Sequence, residues 1–155
     1  MTSPARIIEK RASYLGMPWE EEYGYAQAIQ VGDTLYVSGQ LSHDDQGNLI
    51  GSAPVDASGK VTDFSNMELQ MRTTYANAAK LLAQLGATLD NVVEEVIYVL
   101  DVDAAFAVAG NVRKEAFGTE RPQCASTLVG ITRLAFPQQL IEISFTAVLG
   151  RTGRE

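Results

Sequence analysis

Leu140-Ile141-Glu142-Ile143-Ser144-Phe145-Thr146-Ala147-Val148 is an apolar run with one carboxylate inside it. Its β-branched and aromatic residues over so short a length read as a strand rather than a helix. Leu140, Ile141, Ile143, Phe145, Val148 and the following Leu149 exceed what one face of a strand holds, so alternation looks weak. A second run, Ala125 to Ile131, reads as another closing strand. A sheet apolar on both sides needs cover on both sides.

Upstream, the elements that supply one cover are legible. Met67, Met71, Thr74, Ala78, Leu82 and Leu85 recur at helical spacing and end at Gly86. Ser65-Asn66-Met67-Glu68 has the capping-box pattern, in which Glu68 reaches back to the Ser65 amide. Val92 to Val102 reads as a buried strand, and Asp103 is placed to cap a second helix carrying Phe106, Ala109, Arg113 and Phe117 up to Gly118. Nearer the start, Ala26 to Val31 and Thr34 to Gly39 flank Gly32-Asp33. Glycine at the first central position suits a two-residue type II′ hairpin. Ser42 to Ser65, with Asp44-Asp45-Gln46-Gly47-Asn48 and Asp56-Ala57-Ser58-Gly59, is a long loop built from turn chemistry. The predicted order is hairpin, helix, strand, helix, strand, strand. Two helices packed on one face leave the other face open, which predicts subunit association.

The 155 residues fit a single domain, 1–155, without repeat or linker. Apolar residues are 46% and charged residues 20%, enough for an ordinary core. The net charge of −7 disfavours phosphate backbones and anionic membranes, so no nucleic acid and no membrane are expected as partners. No stretch approaches the ~20 apolar residues of a spanning helix, and Met1 to Lys10 lacks the apolar core of a secretory signal. One cysteine, Cys124, excludes an intramolecular disulfide and a multi-cysteine metal site, and suits the cytoplasm.

Familiar catalytic patterns are absent: no Gly-rich phosphate loop, no G-x-S-x-G and no H-E-x-x-H. His43, the only histidine, is either a general base or ligand or, among flexible aspartates, a solvated side chain. Cys124 follows Arg121-Pro122-Gln123, where a cation would activate it; a lone cysteine at a strand start is otherwise a packing residue. Trp19, beside Glu20-Glu21-Glu22, reads as an exposed loop residue or an interface anchor. Glu142 points either to solvent or, if the open face is an interface, into a partly buried setting that raises its pKa as a general acid or base requires.

Tyr25-Ala26-Gln27-Ala28, Leu35-Tyr36-Val37-Ser38-Gly39-Gln40, Phe106 through Asn111 to Phe117, Arg121-Pro122 and Leu140-Ile141-Glu142-Ile143 occur in an order that resembles the Rid (YjgF) family of enamine and imine deaminases. The resemblance implies a chorismate-mutase-like α+β fold: a sheet with two helices on one face, in a barrel-like homotrimer with ligand clefts between subunits. It implies hydrolysis of reactive enamines and imines such as 2-aminoacrylate to 2-keto acids and ammonia, with no metal and no organic cofactor. Carried over by position, Glu142 is the catalytic residue, orienting water or shuttling a proton. Tyr25, Ser38, Gly39 and Asn111 line the cleft, a backbone amide near Gly39 binding one substrate oxygen. The departure lies in Ala125-Ser126-Thr127, where active members carry an arginine at the position of Ser126 that grips the substrate carboxylate. Arg121, before that strand, is the substitute guanidinium that a folded-back loop would supply; Arg133 lies past its far end.

The resemblance thus implies a deaminase for an imine or enamine other than 2-aminoacrylate, one that is neutral or held by Arg121; aminomuconate-type deaminases are one such relative. The alternative is a non-catalytic trimer that holds a small metabolite or regulates another enzyme.

Overall fold

A computed structural model describes residues 1–151. Six strands form one sheet: β1 (Arg11–Ser13), β2 (Ala28–Val31), β3 (Thr34–Gln40), β4 (Val92–Val99), β5 (Ala125–Gly130) and β6 (Ile141–Val148). Their spatial order is β1-β2-β3-β6-β4-β5. All neighbours are antiparallel except β4 and β5, which are parallel and joined through a helix. The helices are α1 (Pro18–Tyr23), α2 (Met67–Gln84) and α3 (Val102–Phe117). The predicted order holds, and α2 and α3 pack together on one face of the sheet. No described helix is long and apolar enough to cross a membrane.

Gly32-Asp33 joins β2 to β3, with Val31 opposite Thr34. Gly32 adopts φ +57° and no non-glycine described residue has positive φ, as a type II′ turn requires. The six stripe residues of α2 are all buried. Its start differs from expectation. Asn66 occupies the N-cap without a side-chain bond to the helix backbone; Ser65 binds Asp63 instead, and Glu68 pairs with Arg72 at 3.1 Å. The capping box does not form because the local Asp63 turn claims the serine first. For α3 the cap is Asp101, two residues before Asp103, its carboxylate accepting from the Ala104 amide at 2.8 Å.

The reading of β6 as apolar on both faces is also corrected. Ile141, Ile143, Phe145 and Ala147 all point to the helices and are buried, while Glu142, Ser144 and Thr146 lie on the open face. Leu140 is buried just before the strand and Val148 points outward, so alternation is clean. The open face is mixed rather than apolar. Tyr36, Ser38, Glu94, Val96, Ser144 and Thr146 line a shallow hollow of about 350 Å³ there.

The 42–65 loop contains two small β-bridges, His43 with Leu49 and Val55 with Val61. Asp44 and Asp56 fold them by accepting backbone amides at 2.8–3.0 Å. Gln70 of α2 ties the loop to β6. Its amide donates to the carbonyls of Gly51 (2.7 Å) and Gln138 (3.0 Å), and its carbonyl accepts from the Leu140 amide at 2.8 Å.

Candidate functional site

Between Val37 and Gln40, β3 spends one residue more than β6 does between Phe145 and Ile143. This bulge falls at Ser38-Gly39, and bulges of this kind re-aim side chains. The Ser38 hydroxyl donates to the Ala26 carbonyl at 2.8 Å and its amide to the Gln27 carbonyl at 2.8 Å. Gln40 donates to the Gln27 side-chain carbonyl and to the Ser38 carbonyl, each at 2.9 Å. Gln27 in turn donates to Glu20 at 2.9 Å and to the Tyr25 hydroxyl at 3.3 Å. Glu20 is buried and also accepts from the Leu15 amide (2.9 Å) and the Gly16 amide (3.0 Å). A chain of polar side chains therefore runs from α1 to the bulge and fixes it.

The Glu142 carboxyl lies over this bulge. A Cβ on Gly39 would stand 2.5 Å from Glu142 Cδ and 2.7 Å from its Cγ and Oε2. Glycine is required here by space, not by backbone conformation. The Glu142 side chain is half-buried and has no cationic partner among the described residues. Burial pushes its pKa above the usual carboxylate range, and the nearby Gln139 amide only partly offsets that. Tyr25 is close enough to feel both Glu20 and Glu142; burial first, then these two charges, raise its phenol pKa.

Tyr25, Ser38, Gly39 and Glu142 therefore lie near one another. Asn111, Ser126 and Arg121 do not join them within one chain. Asn111 is exposed on α3, on the helix-covered side. Ser126 pairs with Glu95 of β4, whereas Glu142 pairs with Tyr98. Glu95 and Tyr98 lie on opposite faces of their strand, so Ser126 faces the helices and Glu142 the open side. Arg121 precedes β5, and Glu142 stands beside the other end of that strand, so the loop does not bring the guanidinium to the carboxylate.

What lies beside Ser126 is a buried charge cluster that sequence reasoning passed over. Glu95 is wholly buried and accepts from Arg113 Nε at 2.5 Å and from the Tyr75 hydroxyl at 2.8 Å. Arg113 also sits over the Phe117 ring, 5.4 Å from its centroid. Burial, then the Glu95 carboxylate, push the Cys124 thiol up to about 11, so it is not an activated nucleophile. His43 is buried rather than solvated, its ring edge-on to Trp19 at 5.2 Å. Trp19, on α1, is partly buried between His43 and Phe136, so it is a packing residue of this chain.

Gly39→Ala tests whether the Glu142 position matters. The added methyl forces the flexible carboxyl aside, so turnover should fall with that of Glu142 variants while stability drops by only about 1 kcal/mol. Wild-type turnover in Gly39→Ala, with the fold verified by circular dichroism, would show that the carboxyl has no fixed task.

The architecture is that of YjgF-type proteins. A solved structure of YjgH superposes with a TM-score of 0.73 at 26% identity, covering 94% of this chain and all of that one. A member of the YjgF/YER057c/UK114 family from Mycobacterium tuberculosis gives 0.71 at 26% identity, covering 91% of this chain and 100% of the other. The chain belongs to the family described as Endoribonuclease L-PSP, which its residues 19–149 match, and whose RutC and YjgF relatives include the Rid proteins indicated by the motifs. A RutC family protein of Saccharolobus solfataricus is 33% identical over 124 residues, 79% of this chain and 85% of that protein. The RutC family protein YjgH of Escherichia coli is 29% identical over 114 residues, 74% and 76% of the two chains.

Proposed function

We propose that the protein is a cofactor-independent hydrolytic deaminase of a small imine or enamine, acting in a cleft between copies of a homotrimer. The observation that carries this reading is the half-buried Glu142 carboxyl held over the Gly39 bulge without a cation. Tyr25, Ser38, Gly39 and Glu142 form half a cleft on the open side; Asn111 and Ser126 belong to the helix side. Only a neighbouring copy brings such halves face to face.

In the proposed reaction, protonated Glu142 delivers its proton to the enamine carbon, giving the iminium. As carboxylate it then accepts a proton from water while the water oxygen bonds to the iminium carbon. Returning that proton to nitrogen lets the C–N bond break as ammonia leaves, and the hydroxyl proton passes to the Glu142 carboxylate, which leaves a carbonyl compound and restores the acid. A raised pKa suits both steps, since the group must exist in both forms near neutral pH. Without a guanidinium at position 126, an α-carboxylate gains no bidentate partner there, so 2-aminoacrylate is not the substrate. RNA is a poor ligand for a chain of net charge −7, so the endoribonuclease of the family's description is not extended to it.

Two substrate types separate the possibilities: imines lacking a carboxylate, made in situ by an amine oxidase, and 2-aminoacrylate, made in situ by a pyridoxal-phosphate dehydratase. The wild type should accelerate ammonia release from the first and not the second, and Ser126→Arg should raise aminoacrylate turnover by at least about tenfold. Vigorous wild-type turnover of aminoacrylate would overturn the reading of the serine. Ligand-induced stabilisation with every ligand recovered unchanged would instead favour a metabolite-binding trimer.

A further inference from the structure

We propose that a cavity at the ends of β4 and β5 binds the anionic end of a small organic acid, with Lys60 and Arg133 holding the anion. The cavity measures about 570 Å³, and its lining includes Lys60, Phe64, Leu100, Ile131, Arg133 and Pro137. That volume accommodates a small organic ligand.

Charge sets this cavity apart from its surroundings. The chain has 19 acidic residues against 12 lysines and arginines, yet both charged residues on the cavity wall are cations. Neither forms an ion pair among the described residues. Asp63 is held by the Ser65 amide and hydroxyl, and Asp56, on the other side of Lys60 in sequence, is engaged too. One of its oxygens accepts from the Ser58 amide (2.9 Å), the Ser58 hydroxyl (2.6 Å) and the Lys60 amide (3.0 Å). Asp56 thus builds the turn that presents Lys60 to the cavity. Two like charges facing one apolar-walled space attract an anion there more strongly than either would in open solvent. Arginine adds a planar donor fork that matches a carboxylate.

The apolar part of the wall is fixed by the fold. Phe64 packs against the core. The Leu100 amide donates to the Leu140 carbonyl at 3.1 Å, and the Ile131 amide to the Val99 carbonyl at 2.8 Å. A carbon body of benzoate size would lie on Phe64, Leu100 and Ile131 with its carboxylate toward Lys60 and Arg133. This assignment stands apart from the Glu142 chemistry: none of that half-cleft's residues lines the cavity.

Benzoate is the probe, titrated at low ionic strength into the full chain and followed by calorimetry and amide chemical shifts, with benzyl alcohol and inorganic phosphate as controls. Benzoate should bind at least about tenfold more tightly than benzyl alcohol, and salt should weaken it. Lys60→Gln and Arg133→Gln, both at exposed positions, should each weaken benzoate by at least about fivefold, and the double variant should remove measurable binding. Glu142→Gln should leave benzoate affinity unchanged, which separates this site from the proposed catalytic cleft. Equal affinity for benzyl alcohol, unchanged affinity in the double variant, or loss of binding in Glu142→Gln would each overturn the proposal. Phosphate binding as tight as benzoate would overturn the organic-acid assignment.

Discussion

Glu142→Gln is expected to lower imine hydrolysis by about 10²–10⁴-fold, the range typical of losing a positioned general acid or base. Glutamine keeps the shape and the contact over Gly39, so subunit association measured by light scattering should not change. Stability should move the other way. Burial raises the native pKa of Glu142 above its unfolded value, so between those two values the folded chain binds more protons than the unfolded one. Wild-type stability therefore falls as pH rises through that window. Glutamine removes this cost: the variant should melt a few degrees higher near pH 7, and the gap should close as pH drops below the ordinary carboxylate range near ~4.3. Unchanged turnover would reject the catalytic role. An equal or lower melting point at neutral pH would show that Glu142 is not strained by its setting.

The second large effect is on stability alone. Arg113→Leu leaves Glu95, with no exposed surface, facing only the Tyr75 hydroxyl. Removing one member of a buried ion pair costs roughly 3–5 kcal/mol, because the remaining charge loses its compensation. A denaturant midpoint lowered without a change in slope would register that loss. Replacing the whole cluster, as Glu95→Leu, Arg113→Leu and Tyr75→Phe together, should recover most of it, because no orphaned polar group then remains. A single Arg113→Leu variant as stable as wild type would mean that water reaches Glu95 in solution.

Much of this fold was written in short-range patterns. The α2 stripe, the Gly32-Asp33 hairpin and the order of elements all follow from periodicity and turn chemistry. The misreadings have specific causes. Counting Leu140 and Leu149 with β6 blurred an alternation that is clean from Ile141 to Val148. The six residues of α1 carry an acidic run in place of an apolar stripe; only Pro18 at its start and Gly24 at its end marked it.

For the site, Glu142 and Gly39 were visible because each interrupts its strand in a recognisable motif. The polar chain through Glu20, Gln27 and Gln40 was not, since glutamine within a motif gives no sign of what it binds. Glu95 carried a usable signal, an acid inside a Val-, Ile- and Tyr-rich strand, but adjacent Glu94 looked identical and faces the other way. That Ser126 and Glu142 lie on opposite faces of one chain's sheet, and so share a cleft only across copies as proposed, is set by long-range register rather than by local sequence.

The steric interlock between positions 39 and 142 also constrains how this chain can diversify. Directed evolution that randomises position 39 alone should return almost nothing but glycine while the glutamate stays. Once position 142 shortens to alanine or serine, alanine should become acceptable at 39 at once. Mutational trajectories that repurpose the site therefore run most easily through 142 first, because a side chain added at 39 must otherwise displace the Glu142 carboxyl.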